Sequence, residues 1–559
     1  MSSAKSGERL IYLPLGGAGE IGMNAYVYGY GKPGQERLIV VDLGVTFPEM
    51  EGTPGVDLIM PDIAWLEARR ARIEAIFITH AHEDHVGAIG LLWDRLRAPV
   101  YARKFTANIA KNKMDEHGIS PSALNIAEIW PATITAGPFT VGFLPVSHSI
   151  PECSSLVIDT PAGRVIHSGD FKIDVTPVVG DPFDRPLWES VAASGVRALV
   201  CDSTNVFSPL PGRSEATLAP DVEALFRSAT GMVVATTFAS NVARLKTLAM
   251  AAQKAGRTVV LLGRAMQRMV QAATETGLLT GMPRTVNAED AANLPREKLL
   301  LLVTGSQGER RAASAQLAQG PYLGLKLKEG DMFLFSSKTI PGNERGVIRI
   351  MNQLSEMGVD VVDDAGGKYH VSGHANRPDL EMMVDIVKPQ FLIPMHGEHR
   401  HLREHVKIAK ERGIAGIVAV NGMMIDLSGN ALKVAEYIET GRTYLDGSVQ
   451  IGAQDGVVRD RIRMAMNGHV TVTLIIDEND DPLGDPWCEI MGLPETGRSN
   501  AALVDILEAD LAQFIARAEA RTLRDEEKLD KELKRIVRQS AQNEIGKKPE
   551  VTIVVSRLG

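Results

Sequence analysis

The sequence predicts an α/β protein of stacked sheets and helices, divided into several domains. Three observations lead there. The chain has 559 residues, more than one hydrophobic core serves, so two to four domains are expected. Short β-branched runs alternate with helical periodicities along most of its length. Several apolar runs stop on histidine or aspartate, most densely at Thr79-His80-Ala81-His82-Glu83-Asp84-His85.

Composition narrows the function classes. Hydrophobic residues make up 44% and charged residues 23%, an ordinary globular balance. The formal charge of −9 gives no global basic field, so a polyanionic substrate needs a local basic groove. Three cysteines, Cys153, Cys201 and Cys488, are too few and too scattered for a disulfide framework, which points to a reducing compartment. The opening Met1–Gly7 has no apolar signal core, and no apolar stretch approaches the ~20 residues of a membrane span. The expectation is a cytoplasmic protein with no membrane contact.

The elements follow in order. Residues 10–200 carry strand-like runs, Arg37–Val41, Ile73–Thr79, Pro99–Tyr101 and Arg164–Ile166, separated by helical patterns over Val86–Leu96 and Phe105–His117. That alternation implies an α/β layered domain. The glycine-rich Gly16–Gly22 lacks the lysine of a phosphate loop and reads as a tight turn. From about residue 206 a polar loop leads into strand–helix repeats, Met232–Thr237 with Val242–Ala255 and Thr258–Leu262 with Ala265–Gly277. Strands at Leu299–Val303 and Met332–Phe335 and a helix near Gly346–Met357 follow. This is the pattern of a parallel sheet. No histidine occurs between His167 and His370, so the block reads as an insertion. The expected divisions are 1–205 and 369–430 for the first domain, 206–368 for the insertion, 431–455 for a linker, and 456–559 for a C-terminal α/β domain. The last contains strands at His469–Ile476 and Val551–Val555 and one long charged helix over about Ala501–Gln542.

The histidine run carries the chemistry. Imidazole nitrogen and carboxylate oxygen are the donors zinc takes in hydrolytic sites. His80 and His82 project the same way along an extended segment, since the strand period is two. Asp84 and His85 follow on the turn and can face a second ion. His148, Asp170 and His396 each stand where an apolar strand stops, so all seven can converge on one sheet edge.

These residues resemble the metallo-β-lactamase superfamily. The resemblance implies one zinc on His80, His82 and His148, a second on Asp84, His85 and His396, and Asp170 bridging both. The insertion, Cys201-Asp202-Ser203-Thr204-Asn205 and His374 narrow the likeness to the β-CASP nucleases. Gly19–Gly22, Thr237–Asn241, Thr304–Glu309 and Pro341–Asn343 make the chain similar to the bacterial ribonuclease J family. The implied architecture is a metallo-β-lactamase αββα sandwich, an inserted β-CASP α/β domain and a small C-terminal α/β domain. Ala375-Asn376-Arg377 departs from the glycine pair more usual there.

The same resemblance implies a two-metal phosphodiester hydrolase: a 5′→3′ exonuclease with endonuclease activity in RNA maturation and decay, including rRNA processing. Two Zn2+ per subunit are expected, with Mn2+ or Mg2+ as substitutes. His374 is the candidate proton donor, Asp202 its orienting partner and Asp84 a further catalytic group. His370, Val371, Ser372, Gly373, His374, Ser240 and Asn241 are the candidates for holding RNA, preferably 5′-monophosphorylated, with Arg244, Arg264, Lys338 and Arg345 along its path. Gly55, Asp57 and Asp446 form a candidate structural Ca2+ site, consistent with oxygen ligands. A homodimer or homotetramer and RNA-decay partner proteins are further expectations. Two competing readings are a small-molecule metallo-hydrolase of lactonase or thioesterase type and a non-catalytic RNA-binding scaffold.

Overall fold

A computed structural model describes residues 7–49, 51–364 and 366–558; the opening Met1–Ser6 lies outside it. The described chain divides into two compact units, residues 7–46 with 60–442, and 47–59 with 443–558.

The first unit contains the αββα sandwich. One sheet runs in the order Lys433–Tyr437, Met423–Asp426, Arg9–Gly16, Ala25–Gly31, Arg37–Val41, Ile73–Ile78, Val100–Ala102, Leu124–Ile126. The facing sheet runs Ala415–Gly416, Phe391–Met395, Ala198–Asp202, Gly163–His167, Ser154–Thr160, Phe139–Pro145, Ile134–Ala136. Tyr12, Tyr28 and Phe77 from one sheet and Phe143, Val165, Val200 and Ile393 from the other fill one core. Helices Arg185–Ala192 and Arg377–Val387 cover the outer face of the second sheet through Trp188, Val191, Leu380 and Met383. Asn376, at the departure from the family's glycine pair, closes a capping box with Asp379, so the substituted residue starts that helix.

The block between these segments forms its own sheet in the order Thr285–Val286, Thr258–Leu262, Leu299–Val303, Val233–Thr236, Met332–Phe335, Asp360–Val362. All of its pairings are parallel. Helices cover both faces, which explains why Leu299–Val303 is apolar and buried throughout.

Arg244, expected on the RNA path, is instead fully buried. Its guanidinium meets Glu215 at 2.5 and 2.9 Å and donates to Ser336 O at 2.7 Å and Val371 O at 3.3 Å. A guanidinium satisfies all of these at once because it presents several donors in a fixed fork. Arg264 and Lys338 are exposed. Arg244→Met will lower stability by about 3–5 kcal/mol, because Glu215 is left charged and unpaired in the interior. The measurement is the thermal unfolding midpoint, and a midpoint equal to that of the unsubstituted chain contradicts the reading.

The second unit stacks helices Leu503–Ile515 and Glu526–Ile545 on one face of the sheet Trp487–Met491, His469–Ile476, Glu550–Arg557. The single long helix expected over 501–542 is three helices, with Ala520–Arg524 in the middle. Asp525 caps the last by accepting from Lys528 N. The breaks let two leucine-rich stripes, Leu503/Leu507/Leu511 and Leu529/Leu533, reach the same core, which one straight helix cannot do.

The residues of the expected calcium site, Gly55, Asp57 and Asp446, all lie within this unit. Arg461 Nη2 donates to Asp446 Oδ2 at 2.6 Å, and Asp57 Oδ2 accepts from Gly447 N at 2.7 Å. Gly55 lies beside the same guanidinium. The Arg461 side chain thus supplies a positive charge beside Asp446.

Candidate metal centre

Strand Ile73–Ile78 ends in an extended segment, and His82 then opens the short helix Glu83–Val86. This geometry brings His80 Nε2 within 3.1 Å of His82 Nδ1. His148, beyond strand Phe139–Pro145, adds its Nε2 at 3.1 Å from the same His82 atom. Asp170 Oδ2 lies 3.7 Å from His80 Nε2 and 3.8 Å from His148 Nε2. Four donors held tetrahedrally about 2.0–2.1 Å from one zinc stand about 3.3 Å apart, so the set fits such an ion.

A second set shares Asp170. His85 Nε2 is 3.2 Å from Asp170 Oδ2 and 3.6 Å from Asp84 Oδ2. His396 Nε2 is 3.1 Å from Asp84 Oδ2, and its Nδ1 is 3.0 Å from Asp170 Oδ1. His396 has φ of 48°, a left-handed conformation uncommon for a residue with a Cβ and concentrated at functional sites. All seven residues singled out as ligands therefore stand together. A third grouping, Asp170, Asp202, His374 and His396, also comes within ligating range.

Neighbours fix which nitrogen faces inward. His85 Nδ1 donates to Asp42 Oδ2 at 2.8 Å, and His148 Nδ1 donates to Gly373 O at 2.6 Å. Thr79 Oγ1 meets His80 Nδ1 at 3.0 Å, and Thr204 Oγ1 meets His396 Nδ1 at 3.1 Å. Asn24 Nδ2 reaches His85 Nε2 at 3.0 Å, while Tyr26 Oη donates to Asn24 Oδ1 at 2.6 Å. Sequence reasoning missed Asp42, Thr79 and Thr204 in this role, and Asn24 beside the inward nitrogen of His85. Asp42 was findable, since it follows the apolar strand Arg37–Val41 as Asp202 ends Ala198–Asp202.

Electrostatics separate the two sets. Burial lowers His80 and His148 well below the usual imidazole range, and lowers His82 to about 4. Neutral imidazoles are the ligating form. Burial also pulls on His85, but Asp170, Asp84 and Asp42 outweigh it and carry that imidazole up to about 10. His396 is raised for the same reason, burial opposed chiefly by Asp170.

Beside these sets, His374 Nδ1 donates to Asp202 Oδ2 at 2.8 Å. Burial depresses the His374 imidazole, yet Asp202 raises it above its ordinary value. Asp202 accepts twice more from Thr204, at 2.9 and 2.8 Å.

The candidates for holding RNA are only partly grouped. Ser372 Oγ accepts from Asn205 Nδ2 and from His374 N, and the Gly373 carbonyl serves His148. A Cβ on Gly373 would lie 2.9 Å from His148 Cε1 and 2.8 Å from Ser149 Oγ, so that glycine permits close packing on the ligand. Val371 is buried in the core of the inserted sheet. Asn241 is also buried, and its side chain caps helix Val242–Lys254 through Arg244 N, while Ser240 is half-buried just before it. His370 Nδ1 accepts from Arg244 Nη1 at 3.2 Å.

Comparison with known proteins agrees with this organisation. The Metallo-beta-lactamase superfamily matches residues 19–206, and the "Ribonuclease J, beta-CASP domain" matches 230–354. The "Zn-dependent metallo-hydrolase RNA specificity domain" matches 367–419, and the "Ribonuclease J C-terminal domain" matches 456–558. A protein named Ribonuclease J from Sinorhizobium meliloti is 40% identical over 553 residues, 99% of this chain and 98% of the relative. The Ribonuclease J of Corynebacterium glutamicum is 35% identical, covering 94% and 73%. That of Thermus thermophilus is 35% identical, covering 86% and 83%. A solved structure from Enterococcus faecalis, titled a protein of unknown function, shares the fold at TM-score 0.50 with 17% identity, over 75% of this chain and 100% of that one.

Proposed function

Because the chain belongs to the ribonuclease J family, we propose that it is a zinc-dependent ribonuclease that degrades RNA from its 5′ end and also cuts internally. The observation that carries this reading is the pair of donor sets meeting at Asp170, next to the His374–Asp202 pair. His80, His82, His148 and Asp170 would hold one ion, and Asp84, His85, His396 and Asp170 the other. Bound there, the pair of ions supplies a water of lowered pKa and offsets charge on the phosphodiester.

The rest of the reaction falls to side chains. Asp42, Thr79, Thr204 and the Gly373 carbonyl hold the imidazoles in one orientation, so nothing reorganises as charge develops. His374 is the proton donor to the leaving 3′ oxygen. Its Nδ1 is committed to Asp202, its side chain is 22% exposed, and Asp202 raises its basicity against the pull of burial. Products carry a 5′-phosphate and a 3′-hydroxyl.

His370 marks the 5′ pocket. Burial, then the charges of Arg244, Lys338, Lys172 and Arg213, lower it to about 3. Glu215 already meets the Arg244 charge and Asp174 that of Lys172, so Lys338 and Arg213 are the cations beside this neutral imidazole that favour an anion, and the capped start of helix Val242–Lys254 adds its dipole. RNA with a 5′-monophosphate should be degraded from the end about tenfold faster or more than 5′-triphosphate RNA, the worth of one or two charge-assisted hydrogen bonds. A time course on 5′-labelled RNA, with and without chelator, reads mononucleotide against internal fragments. Intact RNA in the presence of zinc refutes the ribonuclease reading, and equal end-degradation of the two RNAs refutes the pocket.

Among the described residues no helix is long and apolar enough to cross a membrane.

A further inference from the structure

Two residues beyond Asn205, the same turn that carries Asp202 and Thr204 presents Phe207 to solvent. The turn is fixed. Val206 is fully buried, Val206 N donates to Ser203 O at 3.1 Å, and Ser208 N donates to Asn205 O at 2.9 Å. Phe207 nevertheless remains 51% exposed. The His401 ring lies against it, centroids 5.3 Å apart at 58°. The Arg400 guanidinium stands 5.6 Å from the Phe207 centroid and is steadied by Glu398 Oε2 at 2.9 Å. Arg400 and His401 sit in the first turn of helix His399–Glu411, just after His396. Thr204 Oγ1, 3.1 Å from His396 Nδ1, ties the two loops together.

A lone exposed apolar side chain is ordinary. This one differs in three ways: it is rigidly held, it is backed by a second aromatic ring and flanked by a cation, and both supporting loops lead directly into the metal centre. We propose that Phe207, backed by His401 and flanked by Arg400, is a stacking platform for an unpaired nucleobase of the RNA strand beside the scissile phosphate. Every base offers a π face, so such a platform grips single-stranded RNA without selecting a sequence, and a neighbouring arginine adds cation–π and phosphate contact. This inference rests on RNA being the substrate.

The test is the KM for single-stranded oligoribonucleotides. Phe207→Ala should raise it about tenfold, Phe207→Trp should keep it near the original value, and kcat should change less than KM. Phe207→Leu retains apolar bulk without the π face and should behave as Phe207→Ala; it serves where the alanine variant unfolds. Oligonucleotides with one abasic ribose at successive positions should show a single position whose loss weakens the unsubstituted protein and leaves Phe207→Ala unaffected. An unchanged KM, or abasic penalties identical in both proteins, overturns the platform. If the unsubstituted protein leaves RNA intact, the ribonuclease reading itself has failed and this inference falls with it.

Discussion

Replacing Asp170 by Ala will strip the centre of bound zinc and lower RNA hydrolysis by about three orders of magnitude or more, the worth of several kcal/mol of lost charge stabilisation. Asp170 is the residue common to all the ligating groups among the described residues. Its carboxylate lies within 4.0 Å of nitrogens of His80, His85, His148, His374 and His396. Alanine removes the only anion shared by both donor sets, so each loses one donor and the charge that draws a cation in. The fold should survive. His85 and His396 owe their raised basicity chiefly to Asp170, against the pull of burial, so they can shed protons rather than remain as buried unpaired cations. Zinc per chain by mass spectrometry, circular dichroism and turnover on labelled RNA give three independent readouts. A folded variant that retains two zinc ions contradicts the bridging assignment.

His374→Ala should lower turnover by about 10²–10⁴-fold, the usual contribution of a positioned acid, with zinc content and KM little changed. The expectation follows from the 2.8 Å bond to Asp202, which commits Nδ1 and leaves the other ring nitrogen for substrate. Because His374 also lies near Asp170 and His396, zinc content decides between acid and ligand. Loss of zinc in this variant sinks the acid assignment. A second readout is leaving-group dependence. A p-nitrophenyl phosphodiester departs without a proton, so the variant should lose far less on that substrate than on RNA. An equal loss on both substrates points to a structural role.

The architecture was legible because each layer writes its own period into the chain. Strands buried on both faces, such as Leu299–Val303, read as unbroken apolar runs, and the parallel sheet followed. The C-terminal helix was misread because charge and helix propensity continue across Ala516–Asp525, whereas the break is set by where the leucine stripes must meet the sheet. Arg244 was misplaced for a related reason. Arginine is usually exposed, and nothing near it in the chain discloses that Glu215 and the carbonyls of Ser336 and Val371 surround it in the fold.

By itself the sequence determined the ligand-type residues and their local order. His80 and His82 face the same way through strand periodicity, and each remaining donor marks the point where a buried strand stops. Tertiary structure alone decided what orients those donors. Gly373 O reaches His148 across 225 positions and Thr204 reaches His396 across 192, and a backbone carbonyl has no signature in residue identity. It also decided that Arg461 pairs with Asp446 and that Phe207 faces solvent over Arg400 and His401. The physical reason is range. Dihedral preference and hydrophobic period act over a few residues, whereas imidazole orientation and charge pairing depend on partners that only folding brings within 3–4 Å.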